Sequence, residues 1–262
     1  MINKIPSKNN VGQQQENRNI EAMVCPSCDS ISEGQICKNC GENLWPKRIT
    51  FFGILMDIPD VFFDVDHGLF YTLRTFLLRP GKEIKKYFAG DRKRHYKPLK
   101  FVLFIGGFAA FLYAKFEFSN GEPQPVILQF GNTWTSLIML LQFPIIAIFT
   151  WLIFYKRKYT YGEHLIGNAY IIGEVLLFKI ALFPIFYLLN GTPSFNYAEG
   201  LYMLFIIFYY SFAYYDWFYQ RKGSEGLIVS IVFVFLLFIV IQVFTFLLQS
   251  ILYYGFLKIG WI

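Results

Sequence analysis

LIVSIVFVFLLFIVIQVFTFLLQ, residues 227–249, carries no charged side chain from end to end. At about 1.5 Å rise per residue a helix of this length covers roughly 34 Å, enough to cross a hydrocarbon core of about 30 Å. A surface helix keeps a polar face, and this run has none. The whole chain points the same way. Its 262 residues are 55% hydrophobic, 21% aromatic and only 16% charged, whereas an ordinary globular protein is about 25% charged. That balance excludes a disordered chain, which is poor in apolar residues. Collagen-like, coiled-coil and disulfide-scaffold readings fail on the 20 Gly, the charge fraction and the 4 Cys. The class that remains is an all-α integral membrane protein.

Four further stretches are long enough to cross, about 99–117, 134–155, 164–189 and 200–219, which makes five transmembrane helices. Tyr113, Trp134, Trp151, Tyr155, Tyr187, Tyr202, Trp217 and Tyr253 fall near their ends, where interfacial aromatics belong. The loops set the orientation. Lys82, Lys85, Lys86, Arg92, Lys93, Arg94, Lys97 and Lys100 precede the first span against only Glu83 and Asp91. Residues 118–133 hold no Lys or Arg, the next loop holds Lys156-Arg157-Lys158, and 190–199 again holds none. Arg221-Lys222 precede the last span, and only Lys258 follows it. By the positive-inside rule the N-terminus is expected in the cytoplasm and the C-terminus outside. Lys82, Lys85, Lys86, Arg92, Lys93, Arg94 and Lys97 are expected to contact anionic lipid headgroups. The adjoining apolar run makes a nucleic-acid partner the weaker reading of that cluster.

All four cysteines lie within residues 25–46, as Cys25-Pro-Ser-Cys28 and Cys37-Lys-Asn-Cys40. Two Cys-x-x-Cys pairs can bring four thiolates to the corners of a tetrahedron, the geometry of structural Zn²⁺. Gly34 and Gly41 ease the turns of so compact a site. A cytoplasmic location disfavours stable disulfides. With every position filled by the chain, the zinc ribbon is expected to hold a shape or bind a protein partner. Residues 1–24, polar and rich in Asn and Gln, read as a disordered tail without a secretory signal.

Residues 47–98 read as amphipathic helices lying in the headgroup layer beside the basic cluster. Thr50 is a candidate cap for a first helix. Leu69, Leu73, Phe76 and Leu77 share one face of a second, with Thr72, Thr75 and Arg79 on others, and Pro80 suits the first position of a third. The runs Gly68-Leu-Phe-Tyr-Thr72-Leu-Arg-Thr-Phe-Leu-Leu-Arg79-Pro80-Gly81, Tyr87-Phe-Ala-Gly90-Asp-Arg92 and Tyr96-Lys-Pro98, with Tyr161-Gly-Glu163-His164-Leu165, are distinctive. Over roughly residues 25–200 the chain resembles an uncharacterised family of bacterial membrane proteins, best represented in the Bacteroidetes group. The resemblance implies an N-terminal zinc ribbon followed by several spans, and it brings no biochemical activity with it.

Ionisable groups in the spans need partners, a wet cavity or an escape route. Glu174 and Lys179 lie inside the third span. Depth counting sets Tyr209 and Tyr210 near the level of Glu174, and Gln142 and Gln242 near that of Lys179. An inter-helix polar cluster is therefore expected: Glu174 with Tyr209 or Tyr210, and Lys179 with Gln142 or Gln242. Either it joins helices or it forms a substrate or proton site. Glu163 and His164 at the mouth of the same span, and His67 beside Asp64 and Asp66, form a candidate interfacial site for acid–base chemistry or a second metal. No nucleophile elbow, His-Glu-x-x-His, phosphate loop or aspartate-rich pair accompanies them. Three functions follow in order: a membrane scaffold or regulatory module displaying a zinc ribbon, a transporter of a small solute or lipid, and a membrane enzyme. A homo-oligomer is compatible with each.

Overall fold

The computed structural model describes residues 22–56, 68–116, 142–221 and 223–258. His67, Asp64, Asp66, the 118–133 loop and the first part of the expected second span lie outside them. The described residues are mostly helical, preceded by a small hairpin unit. There, β1 (Met23–Val24) pairs antiparallel with β2 (Ile31–Ser32), setting Val24 opposite Ile31, and an isolated bridge joins Ile36 to Asn43.

Short helices follow: α1 (Phe51–Met56), α2 (Leu69–Leu78) and α3 (Pro80–Phe88). Thr50 caps α1 by accepting from the Gly53 N–H at 3.2 Å, and Pro80 opens α3 where its missing N–H costs no hydrogen bond. Then come α4 (Pro98–Lys115), α5 (Gln142–Ile153), a 3-10 turn (Tyr155–Arg157), α6 (Tyr161–Ala181), α7 (Phe183–Leu189), α8 (Ser194–Tyr219) and α9 (Ser224–Lys258). Helix α6 is the centre: it packs against α4, α2, α3, α8 and α7, and every side chain from Gly162 to Leu176 is buried.

Among the described residues two helices are long and apolar enough to cross a membrane, Tyr161–Ala181 and Ser224–Ile251. They differ in surroundings. The apolar window of α6 is 72% buried within the protein, that of α9 only 22%.

Several details depart from the sequence reading. The stretch expected as one span over 164–189 begins at Tyr161 and breaks at Leu182. Its start is a capping box: the Thr160 hydroxyl accepts from the Glu163 N–H at 3.1 Å, and the Glu163 carboxylate accepts from the Thr160 N–H at 2.8 Å. Its end is Pro184, which has no N–H to continue the ladder and sits in the first turn of α7. Helix α2 packs on α6 and α3, with Phe76 fully buried. Its inner face is Leu69, Thr72, Leu73 and Phe76, while Leu77 joins Phe70 and Leu78 outside. Thr72 belongs inside because its hydroxyl accepts the Tyr96 N–H at 2.7 Å.

The aromatic residues are also used differently. Trp217, fully buried, and Tyr202 belong to the interior, whereas Tyr155, Tyr187 and Trp151 are exposed. Phe154 stacks on Phe218 at 3.9 Å and Phe76 on Tyr170 at 4.1 Å between ring centres. Much of the aromatic excess therefore packs helix against helix.

Candidate functional site

The four cysteines converge. Their sulfurs all lie within 4.8 Å of one another, with Cys25 to Cys40 and Cys28 to Cys37 each at 3.5 Å. None is in a disulfide, and a tetrahedron of sulfurs about 2.3 Å from a central ion has edges of about 3.8 Å. The set is therefore close enough to bind a metal ion and fits zinc.

Two equivalent loops build it. The Cys25 N–H donates to Ser30 O and the Asp29 N–H to Cys25 O; likewise the Cys37 N–H donates to Glu42 O and the Gly41 N–H to Cys37 O. Asp29 and Gly41 occupy the same left-handed position, φ 58° and 71°, which Gly takes freely and Asp tolerates. The Ser30 hydroxyl lies 3.0 Å from Cys28 Sγ and 3.2 Å from Cys37 Sγ, and the Ser32 hydroxyl donates to Cys37 Sγ. These contacts hold the Cys37 thiol down at about 5, while burial pushes Cys40 up to about 12. Outer hydrogen bonds of this kind orient metal ligands.

Glu42 joins this unit to the helices. One carboxylate oxygen accepts from the Ser27 hydroxyl at 2.9 Å, the Arg92 N–H at 3.0 Å and the Lys93 N–H at 2.8 Å. Arg94 pairs with Asp29 at 2.6 Å, and Arg92 donates to Lys47 O at 2.9 Å. A side chain at Gly90, φ 111°, would press on Pro46 at 2.9 Å.

Several cations of the cluster expected to meet lipid headgroups also bond within the protein. Lys86 pairs with Glu83 at 2.8 Å and Lys85 donates to Asp216 O at 3.4 Å, while the side chains of Lys82 and Lys93 remain exposed. Lys85, Lys86, Arg92 and Arg94 thus also have partners within the fold, which the sequence does not display.

Glu163 and His164 point apart, as neighbours about 100° round a helix must. Glu163 takes a two-pronged contact from Arg48, at 3.3 and 2.9 Å. His164 turns inward: its Nδ1 lies 3.1 Å from Thr150 Oγ1. Thr150 donates to Ala147 O and accepts from Asn168, whose carbonyl oxygen accepts from Tyr214 OH at 2.7 Å. The chain His164–Thr150–Asn168–Tyr214 ties α5, α6 and α8 together out of water. Among the described residues His164 Nε2 has no hydrogen-bond partner.

Among the described residues the hydrogen bonds expected of Glu174 with Tyr209 or Tyr210, and of Lys179 with Gln142 or Gln242, are not found. Glu174 is fully buried, and among the described residues neither carboxyl oxygen has a hydrogen-bond partner. The Tyr209 hydroxyl donates to Phe76 O at 3.3 Å, a backbone acceptor brought near by the packing of α2, and Tyr210 packs beside Tyr214. Lys179 lies over the Tyr113 ring, 4.5 Å from its centre. Gln142 instead donates to Thr245, linking α5 to α9, and Gln242 is exposed.

The sequence reading missed His95. It is buried, with Nδ1 2.6 Å from Asp91 O and Nε2 3.2 Å from Glu83 Oε2. Tyr71, Phe76 and Tyr87 surround it edge-on. Burial opposes ionisation of Glu83, yet the hydrogen bonds from His95 and Lys86 prevail and keep this carboxyl below the usual carboxylate range. The only signal was position, since His95 stands between the distinctive Tyr87–Arg92 and Tyr96–Pro98 runs and belongs to neither.

That run is the part other proteins share. Residues 66–109 match a family described as a protein of unknown function, DUF3667. No curated protein and no solved structure matches the chain. The DUF3667 segment takes in α2, α3, most of α4 and the Glu83–His95 pair, and it leaves the cysteines, Glu163 and Glu174 outside.

Proposed function

We propose that this chain is a multi-pass protein of a bacterial inner membrane that displays a zinc ribbon on the cytoplasmic face as a docking or regulatory module. The observation that carries the reading is the closed, anchored ribbon. Its four thiols leave no position open for water or substrate, the mark of a structural rather than a catalytic zinc. Glu42 holds it to the loop after α3, so an event at the ribbon is transmitted to the helices. Val24, Ile31, Ile36 and Trp45 are more than half exposed there, an apolar surface that suits a protein partner. The loop charges support five crossings with the N-terminus inside and the C-terminus outside, in contact with anionic headgroups, as a monomer or a homo-oligomer.

The test is crosslinking in native membranes. A partner is recovered with the wild-type chain and lost with Cys25→Ser/Cys28→Ser, whose purified form has lost its zinc. Recovery of the same partners by the zinc-free variant removes the docking reading.

One observation favours a second reading, transport of a small solute or lipid: the enclosed carboxyl of Glu174, without a hydrogen-bond partner among the described residues. Groups of this kind inside a bundle mark solute or proton paths. Glu174→Gln, folded and inserted, should then abolish flux in proteoliposomes. Undiminished flux ends this reading and leaves the first intact.

A further inference from the structure

A half-open cavity of about 350 Å³ lies between the 3-10 turn Tyr155–Arg157 and the last turn of α8, lined by Arg157, Phe218, Tyr219 and Gln220. Ligand sites run from roughly 300 to 1,000 Å³, so this one is sized for a small group.

Its electrostatics are one-sided. The Arg157 guanidinium lies over the Tyr219 ring, 4.6 Å from its centre, and among the described residues no carboxylate pairs with it. Lys85 is half-buried nearby. Burial lowers the pKa of its ammonium group, Asp216 partly offsets this, and Arg157 adds repulsion. Asp216, the carboxylate beside them, is already engaged: Oδ1 accepts from Arg221 at 2.7 Å and Oδ2 from the Lys82 N–H at 3.1 Å. Arg157 is thus the cation on the cavity wall, Lys85 lies behind the lining with its ammonium donating to Asp216 O, and the adjacent acid is committed elsewhere. The carbonyl end of α8 does not attract an anion, so any anion bound here is held by these side chains.

We propose that this cavity binds a phosphate group, with Arg157 as the direct ligand, Tyr219 as its platform and Lys85 as the second positive charge. A planar guanidinium fork matches two phosphate oxygens, and its stacking on an aromatic ring fixes its plane. The open mouth admits a phosphate whose remaining substituent stays outside. A lipid headgroup and free phosphate share this chemistry. The inference is independent of the zinc ribbon, and membrane placement matters only for the lipid source.

The full-length protein in a non-ionic detergent is titrated with short-chain phosphatidylglycerol and, separately, with inorganic phosphate, and binding is followed by native mass spectrometry. Saturable single-site binding of at least one probe is expected. Arg157→Gln should weaken it about tenfold or more, the worth of a charged hydrogen-bonding group. Arg157→Lys, which keeps the charge and loses the fork, should show an intermediate loss. Lys47→Gln removes the same charge at an exposed site outside the cavity and should leave binding unchanged. Saturation by the lipid alone assigns the headgroup, and saturation by inorganic phosphate assigns the free anion. Binding that never saturates, or equal loss in Arg157→Gln and Lys47→Gln, overturns the proposal, because a diffuse positive field would then explain the attraction. If Arg157→Gln does not fold, Arg157→Lys decides: full retention of binding overturns the site.

Discussion

Glu42 belongs to no motif, yet its carboxylate receives three hydrogen bonds through one oxygen and fastens the cysteine unit to the helices. Replacing it by Ala leaves the N–H groups of Lys93 and Asn43 without acceptors and the Arg92 N–H with Gly90 O alone, at about 1–3 kcal/mol for each orphan that stays buried. Glu42→Ala should therefore keep its metal while the Lys93 amide exchanges about tenfold faster or more by hydrogen–deuterium exchange. Unchanged exchange would show that the ribbon is held by other contacts. Glu83 supports a pH prediction. Its folded pKa is depressed, so its stabilisation is fully present above the unfolded carboxylate value of about 4.3 and is lost as pH falls through the folded value. Protection of α3 should decline on acidification across that window, and Glu83→Gln should flatten the profile. A profile that is the same in both proteins removes Glu83 as its source.

Helices α3 and α8 meet backbone to backbone, which only a residue without a side chain permits. A Cβ at Gly81 would stand 2.1 Å from Trp217 N and 2.3 Å from Asp216 C. No rotamer relieves contacts with backbone, so Gly81→Ala must push the helices apart, at about 1–3 kcal/mol or more. Its melting temperature in detergent should fall well below wild type. Gly107→Ala is the control, since nothing lies within 4 Å of a side chain there; equal melting of the two variants would contradict the close packing. The element boundaries show how local chemistry and context divide. Thr50 before α1 and Pro80 at the start of α3 are legible as caps. The Thr160–Glu163 box and the break at Pro184 were equally local, but they were hidden in a long apolar stretch that reads as one span.

For the whole molecule, the charge pattern makes the sharpest prediction. Reporter fusions after residues 158 and 221 should report the cytoplasm, and fusions within 118–133 and 190–199 the outside. A fusion reporting the opposite compartment at any of these sites would break the five-crossing arrangement. The structure adds that the two described helices long and apolar enough to cross are unequal: α6 is wrapped by protein and α9 is largely bare. Hydropathy cannot separate these cases, because lipid and a protein interior are both apolar.

The amino-acid order alone determined the helical class, the cysteine quartet and the caps at Thr50 and Pro80, because each depends on local composition, spacing or a single residue's backbone chemistry. The tertiary structure decided which partners polar groups take. Lys86 turned to Glu83, Gln142 to Thr245, and Glu42 to the N–H groups of Arg92 and Lys93. Glu174 was left enclosed without a hydrogen-bond partner among the described residues, and His95, absent from the sequence reading, met Glu83. Such contacts join residues from different elements, and their distances are set by how the helices pack rather than by their separation along the chain.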